Sequence, residues 1–302
     1  MFIYIYCFCY FEHVHFISFF LIIKHIFSVT NVWTLSHVSM AACFMISVAN
    51  MIQLIRRMTM DRLGLLCRNI YENNKMTQRE LAAAMDLSLG TCNHLVKDGL
   101  AQELFTFDPA EGTYSLLKGG VDLLRKYRMD SAVILAAGFG SRFVPLTFET
   151  PKGLLEVYGE RMIERQIKQL HGAGVTDITI VVGYLKEKFE YLIDKFGVKL
   201  LYNPEYHNKN TLTTLYRARE CFIGRNTYLL SSDNWMRNNM YHTYECGAWY
   251  SSVFMKGETS EWCLETSKKG LLTGVKVGGA DSCHVWSGVL LKRVFGTVLP
   301  DP

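Results

Sequence analysis

The stretch Ser131-Ala-Val-Ile-Leu-Ala-Ala-Gly138-Phe-Gly140-Ser-Arg142-Phe-Val-Pro-Leu-Thr-Phe-Glu-Thr-Pro151-Lys152 decides the fold. Its opening apolar run, Ala132 to Leu135, is too short for a helix and is closed by glycine, which predicts a buried parallel strand. The glycines at 138 and 140 let the backbone turn sharply and leave its N–H groups free to face anionic oxygens. Arg142 adds a planar donor fork that suits phosphate. Ten residues later, Pro151-Lys152 can bring a second cation to the same charge. This layout handles polyphosphate, but it is neither of the common phosphate loops. No Gly-Lys-Ser/Thr follows, and Phe143 breaks the spacing of a dinucleotide-binding G-x-G-x-x-G.

Downstream, strand and helix patterns alternate. Asp177 to Val182, Lys199 to Tyr202 and Thr227 to Asp233 read as strands. Arg161 to His171, Leu185 to Phe196 and Thr211 to Cys221 read as helices. Alternation at these lengths predicts an α/β fold with a mostly parallel sheet. Ligands then gather at the carboxyl ends of the strands. Gly138 to Arg142, Gly183-Tyr184 and Asp233 all fall at such ends. A carboxylate after the strand Thr227-Tyr-Leu-Leu-Ser-Ser has two readings: a cap or turn for the next segment, or a ligand for a hard cation that travels with phosphates.

Ala136-Ala137-Gly138-x-Gly140-Ser141-Arg142-Phe143-x-Pro145-Leu146-Thr147, followed by Pro151-Lys152, resembles the signature of the sugar-phosphate nucleotidyltransferase superfamily. The continuation from Gly153 to Leu170 is similar to one branch of it, the bacterial CTP:phosphocholine cytidylyltransferases. The resemblance implies a Rossmann-like domain that transfers CMP from CTP to phosphocholine, giving CDP-choline and pyrophosphate. It implies that Ala136, Ala137, Gly138, Gly140, Ser141 and Arg142 bind nucleotide, with Gly183, Tyr184, Asn210 and Thr211 near the base. It also implies that Lys152, Arg142 and Asp233 are catalytic and that Asp233 holds Mg²⁺. It covers roughly Met129 to Ser282. Family members continue past the point corresponding to Pro302, through a helix-rich segment with another acidic metal ligand, so the domain is expected to be incomplete at its C-terminus. A sugar-1-phosphate nucleotidyltransferase and a regulator with a degraded nucleotide-sensing domain remain alternatives.

Aromatic residues suggest the second substrate. Four of the five tryptophans lie between Trp235 and Trp286. Aromatic faces recognise quaternary ammonium by cation–π attraction, and Trp249, Trp262 and Trp235 are the candidates for a choline box. Ordinary core packing is the competing reading, since alternation in Trp249-Tyr-Ser-Ser-Val-Phe254 fits any strand.

Ahead of this domain, Leu63, Leu66, Ile70 and Tyr71 recur at helical spacing. Thr77-Gln-Arg-Glu80 is a capping box, and Ser88 can cap a further helix through Lys97 that Gly99 should stop. Leu104 to Phe107 and Thr113 to Leu116 flank Asp-Pro-Ala-Glu-Gly, a hairpin signal. Val121 to Tyr127 closes the pattern. Residues 58–128 thus resemble the winged helix of MarR-like regulators. Thr91, Asn93, His94 and Lys97 on its recognition-helix candidate can contact bases. Yet acidic and basic residues are about equal in number there, and DNA affinity rests mostly on phosphate neutralisation. DNA binding and a protein-contact or dimerisation role, with a homo-oligomer as its product, both stay open.

Residues 1–57 differ from the rest, being rich in Phe, Ile, Tyr and His and without a charged residue between Lys24 and Arg56. Two readings stand. One is translated upstream sequence before a start at Met58 or Met60. The other is a membrane anchor spanning residues 38–55, with Arg56-Arg57 on the cytoplasmic side. The remaining composition bounds partners and compartment. A net charge of +4 over 302 residues predicts no general attraction to nucleic acid or membrane. Nine cysteines without a C-x-x-C pair argue against a disulfide framework and a zinc site, so a reducing cytoplasm is the expected compartment.

Overall fold

The computed structural model describes residues 5–6, 60–207, 214–215, 217–259, 261–267, 272–277 and 280–292. Residues 38–55, Asn210 and Thr211 therefore lie outside the described residues. Among those described, no helix is long and apolar enough to cross a membrane. The chain divides into two compact units, Met60–Gly247 and Met1–Thr59 with Ala248–Pro302.

The first unit opens with the winged helix. Helix α1 (Arg62–Asn73) is capped by Asp61, whose carboxylate accepts the N–H groups of Leu63 and Gly64 at 3.0 Å. Strand β1 (Met76–Thr77) leads into α2 (Gln78–Ala84), and the capping box between Thr77 and Glu80 is formed as its sequence predicts. Ser88 caps α3 (Leu89–Ala101). The helix does not stop at Gly99 but runs through it. A Cβ there would stand 2.3 Å from Cζ of Phe105, so this glycine serves close packing of helix on wing. The wing is β2 (Phe105–Asp108) paired with β3 (Thr113–Leu116), and β3 also pairs with β1. Helix α4 (Lys118–Arg125) completes the domain. Leu66, Ile70, Leu81, Cys92, Phe105 and Leu124 fill its core, each at most 1% exposed.

Four parallel strands follow: β4 (Ser131–Ala136), β5 (Ile178–Val182), β6 (Lys199–Tyr202) and β7 (Thr227–Ser231). In space their order is β7-β4-β5-β6. Successive connections lead in one direction from β4 through β5 to β6, and the chain then returns to the other side of β4. The loops leaving β4 and β7 therefore diverge, and a crevice opens at their carboxyl ends. Helix α5 (Met162–Gly172) precedes β5. The expected helix from Leu185 to Phe196 is instead a 3-10 turn, Lys186–Phe189, followed by the short α6 (Tyr191–Phe196), and Leu185 itself is left-handed at φ 47°. The expected helix from Thr211 lies partly outside the described residues. Residues 214–215 and 217 are helical and Arg219–Phe222 is a 3-10 turn.

The winged helix docks on the sheet through a buried polar contact. Arg68 on α1 donates to Glu245 Oε2 at 2.9 Å, with the two side chains only 14% and 3% exposed. Tyr228 on β7 donates its hydroxyl to Glu245 Oε1 at 2.7 Å and accepts from the His242 backbone N–H at 3.0 Å. Burial and the Glu245 carboxylate push the Tyr228 phenol well above its ordinary pKa, so it stays a donor. Backbone bonds flank this contact, from Asp61 N–H to Cys246 O at 2.9 Å and from Glu245 N–H to Tyr127 O at 2.8 Å.

The second unit is antiparallel. Strand β8 (Trp249–Thr259) pairs with β11 (Ala280–Lys292), which also pairs with β9 (Trp262–Thr266), and β9 pairs with β10 (Leu272–Val277). Ile5–Tyr6 pairs with Tyr250 and Trp249 of β8. Where the cysteine spacing predicted no disulfide framework, Cys263 and Cys283 form a disulfide, their Cα atoms 5.8 Å apart. Neighbouring strands bring the two together, a pairing that spacing along the chain does not reveal.

Removing one partner of a buried ion pair strands the other. Glu245→Ala is therefore expected to lower stability by about 3–5 kcal/mol, measured by urea unfolding of the intact chain. Arg68→Met with Glu245→Leu should recover much of the loss, because neither charge is then left alone. A Glu245→Ala chain as stable as the parent would contradict this reading of the docking contact.

Candidate active site

The crevice between β4 and β7 collects the sequence-predicted residues one by one. Strand β4 ends at Ala136, and its register with β7 pairs Leu135 with Ser231. Ser232 N–H then bonds Leu135 O at 3.1 Å. Asp233 thus leaves β7 level with the start of the glycine loop. Gly138 is exposed, and a Cβ added to it would meet nothing within 4 Å. Gly140 has φ +71°, and a Cβ there would come to 3.2 Å from both Lys152 Cβ and Thr147 Cγ2. Here glycine is required twice, for its left-handed backbone and for the close approach of Lys152. The buried Thr147 fixes the loop by donating to Gly140 O at 3.1 Å. Ser141 and Arg142 form an exposed 3-10 turn directly after it.

Lys152 and Asp233 meet. The Lys152 ammonium donates to Asp233 Oδ2 in an ion pair between side chains 20% and 29% exposed. The ammonium also lies 4.6 Å from the centroid of the Phe143 ring. The following glycine makes this approach possible. A Cβ on Gly153 would stand 2.7 Å from Ser232 Cβ, so the Pro-Lys loop packs directly on the turn that carries Asp233.

Gly183 and Tyr184 end the neighbouring strand. Tyr184 N–H bonds Ala137 O at 3.1 Å, and its hydroxyl donates to Phe148 O at 3.0 Å. Phe139 packs edge-on against Tyr184, with ring centroids 4.8 Å apart. A Cβ on Gly183 would lie 2.7 Å from Ala137 O. The two strand ends are thus locked together. Ala136 and Ala137 are buried beneath the loop, at 7% and 5% exposed.

The tryptophans have different surroundings. Trp235 follows Asp233 in the same loop, and the Arg165 guanidinium lies 4.7 Å from its ring centroid, with Tyr158 tilted against it at 5.1 Å. The ring already receives a cation, one of the chain's own. Trp249, in the second unit, is 2% exposed. Trp262 opens β9.

Sequence reasoning missed the groups beneath the turn. Gln166, fully buried on α5, donates its amide to Ser231 O at 3.0 Å and to Asn234 O at 2.6 Å. Only its position in an amphipathic helix was visible beforehand, where a buried carboxamide among apolar residues is a signal that it holds something specific.

As for a metal, no cluster of three or more His, Cys, Asp or Glu side chains is gathered among the described residues. Asp233 is a single carboxylate at a strand end. A cation arriving on nucleotide phosphates needs only one or two carboxylates from the protein, so the donor set fits that kind of ion and not a fully protein-ligated one.

The family described as nucleotidyl transferase matches residues 131–246, and the family described as winged helix-turn-helix DNA-binding matches residues 67–98. A choline-phosphate cytidylyltransferase of Streptococcus pneumoniae is 42% identical over 133 residues, covering 44% of this chain and 57% of the relative. A 2-aminoethylphosphonate cytidylyltransferase of Lancefieldella rimae is 35% identical, covering 50% and 63%. A choline-phosphate cytidylyltransferase of Haemophilus influenzae is 33% identical, covering 49% and 63%. The chain thus spans less than two thirds of the length of these curated relatives. A solved structure of the CTP:phosphocholine cytidylyltransferase from Streptococcus pneumoniae superposes with a TM-score of 0.52 at 36% identity, covering 55% of this chain and 72% of that one. The nucleotidyl transferase match takes in the glycine loop, the four parallel strands and the turn at Asp233, and the chain belongs to the nucleotidyl transferase family, with relatives among the cytidylyltransferases and a winged helix-turn-helix domain ahead of it.

Proposed function

We propose that the chain transfers CMP from CTP to phosphocholine, releasing pyrophosphate. The observation that carries this reading is the Lys152–Asp233 pair at the crevice between β4 and β7, beside a loop in which Gly140 takes a left-handed backbone that favours glycine. A phosphate oxygen of phosphocholine attacks the α-phosphorus of CTP. The bond from that phosphorus to the bridging oxygen breaks, and its electron pair leaves with pyrophosphate. Such a displacement needs alignment and charge neutralisation more than covalent help from the protein. Arg142 and the loop N–H groups face the β- and γ-phosphates. Lys152 neutralises charge at the α-phosphate. Asp233 would hold Mg²⁺, which when bound neutralises nucleotide oxygens. Without nucleotide, the ammonium and carboxylate neutralise each other. With nucleotide and cation bound, Asp233 would hold the cation and Lys152 would meet phosphate, so neither charge would be left unpaired. Gly183 and Tyr184 lie toward the base, and Asn210 and Thr211 are assigned there by resemblance alone.

The second substrate is the finer choice, since the relatives include both choline-phosphate and 2-aminoethylphosphonate cytidylyltransferases. A primary ammonium wants carboxylate acceptors and keeps strong hydration. A trimethylammonium donates no conventional hydrogen bond, so aromatic faces suffice. Trp262 is assigned as a face by resemblance alone. Trp249 is buried, and Trp235 is engaged by Arg165.

The winged helix has a second reading as a DNA binder. Asn93, His94 and Lys97 are exposed on α3, which favours it. Against it, residues 61–128 hold nine basic and nine acidic side chains. The wing also carries Asp108 and Glu111, with Lys75 paired to Glu111 at 2.8 Å. We read the domain as docked to the transferase and not as a reader of DNA.

Three outcomes are expected. In a radiolabelled CTP turnover assay, Lys152→Ala and Asp233→Ala should each abolish transfer with the circular dichroism spectrum unchanged. Either variant keeping near-normal turnover would sink the assignment. Phosphocholine should be preferred over phosphoethanolamine by roughly thirtyfold in kcat/KM if one desolvated cation–π contact of about 2 kcal/mol decides, and Trp262→Leu should erase most of that preference. Equal handling of both substrates by the parent chain would refute the aromatic face. Finally, fluorescence anisotropy should show no duplex DNA binding at physiological salt. Binding that weakens steeply with salt and is lost in Lys97→Ala would restore the DNA reading.

A further inference from the structure

The turn that carries Asp233 is held from beneath by one buried side chain. Gln166 is 0% exposed, and its carboxamide nitrogen bonds the carbonyl oxygens of Ser231 and Asn234 at 3.0 and 2.6 Å. Those two residues bracket Ser232 and Asp233. An amide NH₂ has two hydrogens, and each carbonyl takes one. The bracket fixes where the chain leaves β7 and where it resumes, so the residues between have little freedom. The neighbouring positions on α5 bind the chain further on. Gln169 donates to Met236 O at 2.9 Å, and Arg165 Nε donates to the same oxygen at 2.6 Å. One face of α5 thus holds the backbone from Ser231 to Met236, and Gln166 alone among these three flanks the carboxylate.

We infer that Gln166 is a positioning residue for Asp233, setting the direction in which its carboxylate meets a divalent cation brought by CTP. The inference rests on the cytidylyltransferase reading above. The physical reason is that a single carboxylate with no protein co-ligand in the turn relies on backbone placement for its aim. Groups behind a metal ligand typically change metal affinity by about 10–100-fold when removed. Gln166 acts through the backbone and touches neither nucleotide nor cation. A role confined to stability predicts something different, namely that any lost hydrogen bond from α5 to this segment has the same effect.

The experiment measures Mn²⁺ affinity in the presence of CTP, without phosphocholine, by electron paramagnetic resonance of free Mn²⁺. It uses the intact chain, Gln166→Met, Gln169→Met and Asp233→Asn, with urea unfolding of each. Gln166→Met keeps the length and loses both donors. Gln169→Met loses one donor from the same helix to a carbonyl beyond the turn, and so reports the structural effect alone. The expected result is Mn²⁺ binding weakened about tenfold or more in Gln166→Met, abolished in Asp233→Asn, and unchanged in Gln169→Met. Equal Mn²⁺ affinity in Gln166→Met and the parent, or equal weakening in Gln166→Met and Gln169→Met, would overturn the inference while leaving the function standing. Should Gln166→Met fail to fold, Gln166→Asn gives the same reading, because it keeps a neutral buried amide that is one methylene too short to span both carbonyls. A parent chain that binds no Mn²⁺ with CTP, or an Asp233→Asn chain that binds it normally, would overturn the underlying reading and the inference with it.

Discussion

The ion pair between Lys152 and Asp233 joins two loops that the sheet topology drives apart. Strand order reverses between β4 and β7, so the segments leaving them diverge and leave a crevice. Two opposite charges at its floor neutralise each other, and partial burial makes each depend on the other. Much of the surrounding sequence exists to permit that approach. A Cβ on Gly153 would collide with Ser232, and Gly140 combines a left-handed backbone with a tight approach to Lys152. Thr147 ties the intervening loop back on itself. On the proposed reading, a polyphosphate with its cation would separate the pair without leaving either charge unmatched.

The same strand that delivers Asp233 anchors the winged helix. Tyr228 lies on β7 and bonds Glu245, which in turn bonds Arg68 of α1. A group as costly to bury as a guanidinium is retained at this junction, where apolar packing would serve stability at least as well. What the ion pair adds is direction, because the planar guanidinium accepts only a narrow range of approaches. The helix-turn-helix is therefore docked through its first helix, and α3 with its exposed Asn93, His94 and Lys97 is left outside that contact.

Much of the site was legible before any coordinates. A short apolar run, two glycines and a distant Pro-Lys foretell the buried strand, the turn and the return of a lysine to it, and the capping residues Thr77 and Ser88 do the same for their helices. Long-range packing was not legible. Gly99 has the look of a helix stop, and it is a contact point for Phe105, a partner seen only once the wing folds back. Leu185, where a helix is expected to start, takes a left-handed backbone, and the segment after it begins as a 3-10 turn before α6. Gln166 and Glu245 are polar residues whose partners lie tens of residues away, and periodicity assigns them no role. Trp249, marked as a binding face by composition, is buried in the second unit.

The central claim is that the ends of β4 and β7 form a site for CTP together with a divalent cation. Equilibrium dialysis of radiolabelled CTP against the intact chain tests it most directly. The account predicts saturable binding at one site, weakened when the cation is chelated and lost in Lys152→Ala. CTP binding indifferent to both the cation and Lys152, or no binding at all, would contradict it.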